Sequence, residues 1–335
     1  MFNTRAPVIF GGGDSQELAA RICSFLDVPL GRAVTKPFPN GECFIKIEDD
    51  IRQRDVFVVL SLCRPNVNDK CMELFLWGDA LRRASSHRVT AVIPHFGYAR
   101  QDRKSEGRTP ISARLLCDLI ESSGFDRVLT MDLHAPQIQG FFSRVLLDHL
   151  NSGEIFATHV TGLVNNGLKD LVALSPDIGH MKKLGKYRQG FPKEVGVAVI
   201  DKRRHPDGTV TSSSIIGDIE GKNIIMCDDI ISTAGTMRSA IDFALANGAA
   251  SKEGQGFYIL ATHGEFVADA ALNLSHPKIK KIWVTDTIPL TTEDYRNEEL
   301  NNLPISTLSV STLFGRAIRR IHDGQSISAL LGKYG

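Results

Sequence analysis

Short runs of aliphatic and β-branched residues alternate with segments of helical period along this chain, and the alternation runs twice. Val8-Ile-Phe10 predicts a strand. Ser15 to Leu26 follows with apolar residues at Leu18, Ala19, Ile22, Cys23 and Leu26, the spacing of one helix face, with Asp14 or Ser15 placed as an N-cap. Val56–Leu60, Val89–Pro94 and Arg127–Met131 predict further strands, with helices over 68–84 and 111–122 between them. Strands separated by helices imply a parallel sheet covered by helices. The rhythm restarts near residue 153, with strands expected over 171–174, 195–200, 223–227, 256–261 and 281–285. A helix over 236–246 is expected to end at Asn247-Gly248. The fold class is therefore α/β, in two similar halves, 1–152 and 153–335. The stretch Ser311 to His322, with Leu313, Ala317 and Ile318 against Arg316, Arg319 and Arg320, predicts an amphipathic helix lying on one of them.

The length of 335 residues suits two ordinary domains. Lys plus Arg (39) balances Asp plus Glu (38), so no global basic field exists to hold nucleic acid or an anionic membrane. Six cysteines are present without a CxxC pair, most of them inside apolar runs, which fits free thiols in a reducing compartment. The first residues lack the basic start and apolar core of a signal peptide, and no run is long enough to span a bilayer. A cytoplasmic location follows as the expectation.

The strongest chemical signal is Ile224-Ile-Met-Cys-Asp-Asp-Ile-Ile-Ser-Thr-Ala-Gly-Thr236. An apolar strand leads into two carboxylates, and a turn of small hydroxyl and glycine residues then opens a helix. Backbone N–H groups over Ser232, Thr233, Ala234, Gly235 and Thr236, with the helix N-terminus behind them, suit a phosphate. Asp228 and Asp229 suit sugar hydroxyls, directly or through a metal. Taken alone an Asp-Asp after a strand is an ordinary cap. The attached loop, at the end of the strand where α/β folds place their ligands, favours a site.

Other segments carry weaker signals. Phe38-Pro-Asn-Gly-Glu42 combines a strong turn signal with an aromatic face that suits a purine. Arg100, Gln101, Asp102, Arg103 and Lys104 form a mostly basic patch, and a guanidinium forks readily onto phosphate oxygens. Lys202, Arg203 and Arg204 precede the turn His205-Pro-Asp-Gly208, a basic loop of the kind that clamps charge developing on phosphorus. A solvated surface run is the alternative for both basic groups.

The 224–236 element resembles the phosphoribosyl-binding loop of the type I phosphoribosyltransferase fold. Four further segments narrow the resemblance: Phe38–Glu42, Phe96-Gly-Tyr-Ala-Arg-Gln-Asp-Arg-Lys104, Thr130–Phe142, and Ser175-Pro-Asp-Ile-Gly179 followed by Ile200–Arg204. In this order, from about residue 8 to about residue 330, they are similar to the ribose-phosphate pyrophosphokinase family. The resemblance implies two tandem phosphoribosyltransferase-like domains and transfer of a diphosphate from ATP to ribose 5-phosphate, with Mg2+. It implies ATP contacts at Phe38, Asn40, Gly41, Glu42, Arg100 and Gln101. It places ribose 5-phosphate on Asp228, Asp229, Ser232, Thr233, Ala234, Gly235, Thr236 and Arg204. It gives the metal to His134 and Asp177, and catalysis to Lys202 with Arg204 as helper. A homo-oligomer, a hexamer in the family, is expected.

The chain departs from the family pattern in places. Ser232 stands for the first aspartate of a loop that usually reads Asp-Thr-Gly-Gly-Thr. Ser105 stands where many members have aspartate, and His180 where a second glycine usually follows Ser-Pro-Asp. The stretch 143–148, which in the family helps form a regulatory site, also differs. Three other readings stand beside the main one: a catalytically silent regulatory homologue, an ordinary phosphoribosyltransferase, and a phosphate-sugar binding module.

Overall fold

The computed structural model describes residues 6–204, 210–290 and 298–330, and the side chains over 202–213 lie outside the described set. The chain forms two compact units. The first comprises 1–151, 286–289 and 309–335, and the second 152–285 and 290–308.

In the first unit, β1 (Val8–Gly11) leads into α1 (Gln16–Leu26). A hairpin of β2 (Ala33–Pro37) and β3 (Cys43–Ile47) follows. Then come β4 (Asp55–Val59), α2 (Val67–Arg83), β5 (Arg88–Ile93), α3 (Ser112–Ser122), β6 (Arg127–Met131) and β7 (Leu146–Leu150). The sheet order is β1-β4-β5-β6-β7, parallel throughout. Val56 and Val58 join Leu74, Trp77, Leu116 and Ile120 in one core, while Phe57 and Val59 are equally buried between them. A strand buried on both faces reads as an unbroken apolar run, and this is why β4 was visible in sequence. Ser15 does precede α1, but its side chain makes no cap bond. Its Oγ accepts from the Ser61 amide at 2.9 Å instead, tying α1 to the end of β4.

The C-terminal helix Ser311–His322 belongs to this unit, so 153–335 is not a single continuous body. Its apolar face, Leu313, Phe314, Ala317, Ile318 and Ile321, is buried, and it packs on α1. A Cβ at Gly315 would come within 2.3 Å of the Phe25 ring, so only glycine allows this approach. Periodicity reveals that a helix has a face to bury and leaves open what buries it. The helix end is also pinned electrostatically. Asp55, 2% exposed, accepts from Arg88 Nε at 2.9 Å and lies 2.9 Å from His322 Nδ1. Arg88 also donates to the Ile321 carbonyl at 2.8 Å.

Burial alone would raise the Asp55 carboxyl, but His322 and Arg88 outweigh it and hold the group below its ordinary value. A depressed folded-state value stabilises above the unfolded value of about 3.9 and is lost as pH falls through the folded one. Asp55→Ala is therefore expected to cost about 3 kcal/mol at pH 7, the low end for a broken buried pair because Arg88 keeps some access to water. Urea melts of wild type and variant should converge as the pH drops below about 4. An undiminished gap at low pH would remove the charge from this account.

In the second unit, α4 (Gly153–Asn165) precedes β8 (Leu171–Ser175). Next come α5 (Met181–Arg188), β9 (Gly196–Arg204) and β10 (Val210–Ile216). They are followed by β11 (Asn223–Ile231), α6 (Gly235–Ala246), β12 (Phe257–Gly264), α7 (Ala270–Leu274), β13 (Ile279–Thr285) and β14 (Ile305–Leu308). The order is β10-β9-β8-β11-β12-β13-β14, parallel except for the β9–β10 hairpin. Val172, Leu174, Ile224 and Met226 bury into one core, and Leu171, Ala173, Ile225 and Cys227 into the other. From β8 the chain builds outward to β9 on one side and, from β11, outward to β12 on the other. The carboxyl ends of β8 and β11 therefore flank a topological switch point, where open α/β sheets bind their ligands.

Candidate active site

β11 is longer than the sequence implied. Asp228 and Asp229 lie inside it, because pairing with β12 continues to Ile231 opposite Gly264. Pairing with β8 stops earlier, at Ile225 opposite Ala173. Beyond that point β11 has a neighbour on one side only, and the two carboxylates stand beside the gap. The Asp229 N–H donates to Asp228 Oδ1 at 2.8 Å. Burial, and then the adjacent Asp229, push the Asp228 carboxyl well above its ordinary value.

The loop that follows is built to present amides. The Ile231 carbonyl accepts from Glu265 and Phe266, that of Ser232 from Val267, and that of Ala234 from Arg238. The Thr233 carbonyl accepts from Asn273 Nδ2 at 2.8 Å. In a planar trans peptide the next N–H points opposite the C=O, so committing these carbonyls to the scaffold turns the amides of residues 233 to 235 the other way. Ala234 makes this turn in the left-handed region, with φ 59 and ψ 8, an uncommon conformation for a residue with a Cβ. Gly235 then starts α6, whose first-turn N–H groups have no intrahelical acceptor. A left-handed turn, outward amides and a helix start together make an anion cradle.

Across the gap, β8 ends in Ser175 and the chain turns through Asp177. Ser175 Oγ donates to the Asp177 carbonyl at 2.8 Å, and Asp177 Oδ1 accepts from the His180 amide at 2.8 Å. The sequence marks His180 only as a departure from the family glycine and does not mark Lys183. Lys183 Nζ lies 2.8 Å from Asp229 Oδ1, and His180 Nε2 lies 3.0 Å from the Cys227 carbonyl. Burial, more than any neighbour, lowers the His180 pKa. The only sequence signal of Lys183 is its i, i+3 spacing from His180, which is common in helices.

In the second unit the structure thus gathers Asp228, Asp229, the 232–236 loop and the Asp177 turn around one pair of strand ends. Lys202, Arg203 and Arg204 were expected in a loop after a strand ending at Ile200. The strand instead runs on to Arg204, which pairs with Val210, while Arg203 pairs with Thr211 and Lys202 with Ser212. The side chains of Lys202 and Arg204, and the turn 205–208, lie outside the described residues.

The first unit carries the remaining positions. Phe38 to Glu42 forms the tip of the β2–β3 hairpin. Phe38 N donates to the Glu42 carbonyl at 2.7 Å, and Glu42 N to Asn40 Oδ1 at 3.1 Å. Gly41 has φ +90, which explains the glycine in Pro-Asn-Gly. Phe38 is 43% exposed, held edge-on by Phe44 at 5.5 Å, and so offers a free ring face. Arg100 is exposed in the turn after β5, and the Gln101 carbonyl accepts from the Ala113 amide at the start of α3. His134 is exposed just past β6. The backbone before it is held by His149, whose Nε2 accepts from the Leu133 amide at 2.7 Å, and by Asn151 Nδ2, 2.9 Å from Asp132 Oδ1. A hydrogen bond from Gln137 to Asp102 joins the His134 segment to the Arg100–Gln101 loop. His134 and Asp177 belong to different units. Among the described residues, no three His, Cys, Asp or Glu side chains gather into a metal cage.

Two family models match the chain: the N-terminal domain of ribose phosphate pyrophosphokinase over residues 7–124, and the phosphoribosyl synthetase-associated domain over residues 188–332. A ribose-phosphate pyrophosphokinase of Rhodopirellula baltica is 45% identical over 325 residues, covering 96% of this chain and 97% of that protein. The chain belongs to the ribose-phosphate pyrophosphokinase family. A family relative from Oceanobacillus iheyensis is 41% identical, with 96% of each chain covered. The crystal structure of phosphoribosylpyrophosphate synthetase from Mycobacterium smegmatis superposes with a TM-score of 0.83 at 33% identity, covering 96% of this chain and 100% of that one. The α/β fold with two phosphoribosyltransferase-like domains is therefore that of the family. Among the described residues, no helix is long and apolar enough to cross a membrane.

Proposed function

We propose that this chain transfers the β,γ-diphosphate of ATP to the anomeric hydroxyl of ribose 5-phosphate, giving 5-phosphoribosyl 1-diphosphate and AMP. The observation that carries this reading is the 232–236 cradle beside the Asp228–Asp229 pair, on a chain that matches its family over nearly its full length. The 5-phosphate sits on Ser232, Thr233, Ala234, Gly235 and Thr236. The ribose hydroxyls meet Asp228 and Asp229. ATP lies on Phe38, Asn40, Gly41 and Glu42, with Arg100 and Gln101 on its phosphates.

The donor is the magnesium complex of ATP, with Asp177 and His134 as protein contacts of the ion. A single half-buried carboxylate suits an ion that keeps phosphate oxygens and waters as its other ligands. Mg2+ supplies charge neutralisation on the phosphates. The anomeric oxygen forms a bond to the β-phosphorus in line, the bond from that phosphorus to the α,β-bridging oxygen breaks, and AMP leaves with that oxygen. Lys202 and Arg204 hold the charge on the moving phosphoryl oxygens. Of the assigned residues, a carboxylate of the Asp228–Asp229 pair is the candidate to take the hydroxyl proton. The same reading includes a homo-oligomer, hexameric as in the family, and a cytoplasmic location.

The test is AMP release from a mixture of the chain, ATP, ribose 5-phosphate and Mg2+. AMP that forms only when both substrates are present separates this reading from a silent homologue, a phosphoribosyltransferase and a binding module. A folded preparation that binds both compounds and forms no AMP defeats it.

A further inference from the structure

His180 stands where the family pattern has glycine, and it lies between the two sets of acidic groups assigned above. It is the N-cap residue of α5, with φ −77 and ψ −15. Its backbone N–H donates to Asp177 Oδ1 at 2.8 Å. Its imidazole Nε2 is 3.0 Å from the Cys227 carbonyl oxygen and 3.6 Å from Asp228 Oδ1. The side chain is only 11% exposed. One residue therefore reaches both the carboxylate that follows β8 and the strand segment that carries the Asp228–Asp229 pair.

The strand ladder explains why a donor is wanted there. β8 supports β11 only as far as Ile225, while β12 supports it to Ile231. A buried carbonyl left without a donor costs about 1–3 kcal/mol, and glycine has no side chain to supply one. The imidazole fills that role with its hydrogen on Nε2, the tautomer this bond assigns. One helical turn on, Lys183 holds Asp229 Oδ1 at 2.8 Å. The Asp229 amide holds Asp228 Oδ1 at the same distance, 2.8 Å. The first turn of α5 thus holds Asp229 through Lys183 and Asp177 through the His180 amide.

We propose that His180 is a positioning residue for the transfer: its amide orients Asp177, its imidazole fixes the Cys227–Asp228 backbone, and the two bonds hold the metal-side and sugar-side carboxylates in one register. This rests on the activity proposed above. The ring acts by donating a hydrogen bond and is asked to transfer no proton.

Two measurements on His180→Ala and His180→Gln test it: calorimetric binding of ribose 5-phosphate alone, and steady-state AMP release. The alanine variant should bind ribose 5-phosphate about tenfold more weakly and lose about tenfold in kcat, since small misplacements of reacting groups cost rates of this order or more. Its KM for ATP should stay within about twofold, because the nucleotide contacts are assigned to the other unit. Glutamine carries an amide N–H that reaches the same carbonyl, and should return both quantities to within about threefold of wild type. Wild-type binding and turnover in the alanine variant would overturn the proposal. So would a glutamine variant as impaired as alanine, since ring volume and not the donor would then matter. Should alanine prevent folding, His180→Gly, the residue of the family pattern, is judged by the same criteria. If wild type itself forms no AMP, the activity assignment fails, while the calorimetry still reads the contact between His180 and the sugar site.

Discussion

Replacing Lys202 with alanine is expected to lower the rate of AMP release about a thousandfold while changing nucleotide affinity by less than about threefold. A cation that contacts the transferring group chiefly in the transition state contributes to kcat, and positioned cations in phosphoryl transfer are worth on the order of 10³ or more. Uniform ground-state binding would instead appear in KM. Lys202 sits in β9 opposite Ser212, two residues before the strand ends at Arg204. The ladder with β10 fixes the backbone of the residue. Rapid-quench measurement of AMP formation, beside fluorescence titration of nucleotide binding, separates the two quantities. A variant that keeps full turnover takes Lys202 out of the catalytic role, and one that loses nucleotide binding in proportion makes it a binding residue.

Asp229→Ala should weaken ribose 5-phosphate binding about a hundredfold. Two hydrogen bonds from sugar hydroxyls to a carboxylate, at about 1.5 kcal/mol each, account for that factor. Asp229 is 4% exposed and bonded to Lys183, so it is already desolvated and oriented. Lys183, about a third exposed, can turn to water in the variant, so the fold should survive. The Asp228 carboxyl, raised by burial and then by Asp229, should titrate at a lower pH once its neighbour is gone. Calorimetry with ribose 5-phosphate measures the first effect, and carboxyl chemical shifts across a pH series measure the second. ATP binding should be unchanged. Unaltered sugar affinity would mean that Asp229 supports the strand end and touches no ligand.

Much of the fold was legible because the central strands are buried on both faces. β4, β5, β6, β8 and the first half of β11 read as mostly apolar runs, and the structure places each within a residue or two of its expected start. The β2–β3 hairpin, β7 and β14 were not legible. Their residues are mostly half-buried or exposed, so no apolar run marks them. Only the turn signal of the hairpin, Pro-Asn-Gly, showed. The extension of β11 through Asp228 and Asp229 was hidden for a related reason. Carboxylates normally end a strand, and here pairing with β12 carries them on.

The sequence by itself determined which chemistries are on hand: a hydroxyl-and-glycine loop behind two carboxylates, a basic triplet, an aromatic turn and a Ser-Pro-Asp. Those are local patterns, and a residue string carries them in full. Tertiary structure alone decided which strands lie side by side, and hence that β8 and β11 part at Ile225 and leave a gap. It also decided that His180 and Lys183 fill the edge of that gap, and that the C-terminal helix returns to α1. Each of these depends on groups far apart in the chain meeting in space, on pairing ladders and on the close approach at Gly315, and local spacing holds no record of them.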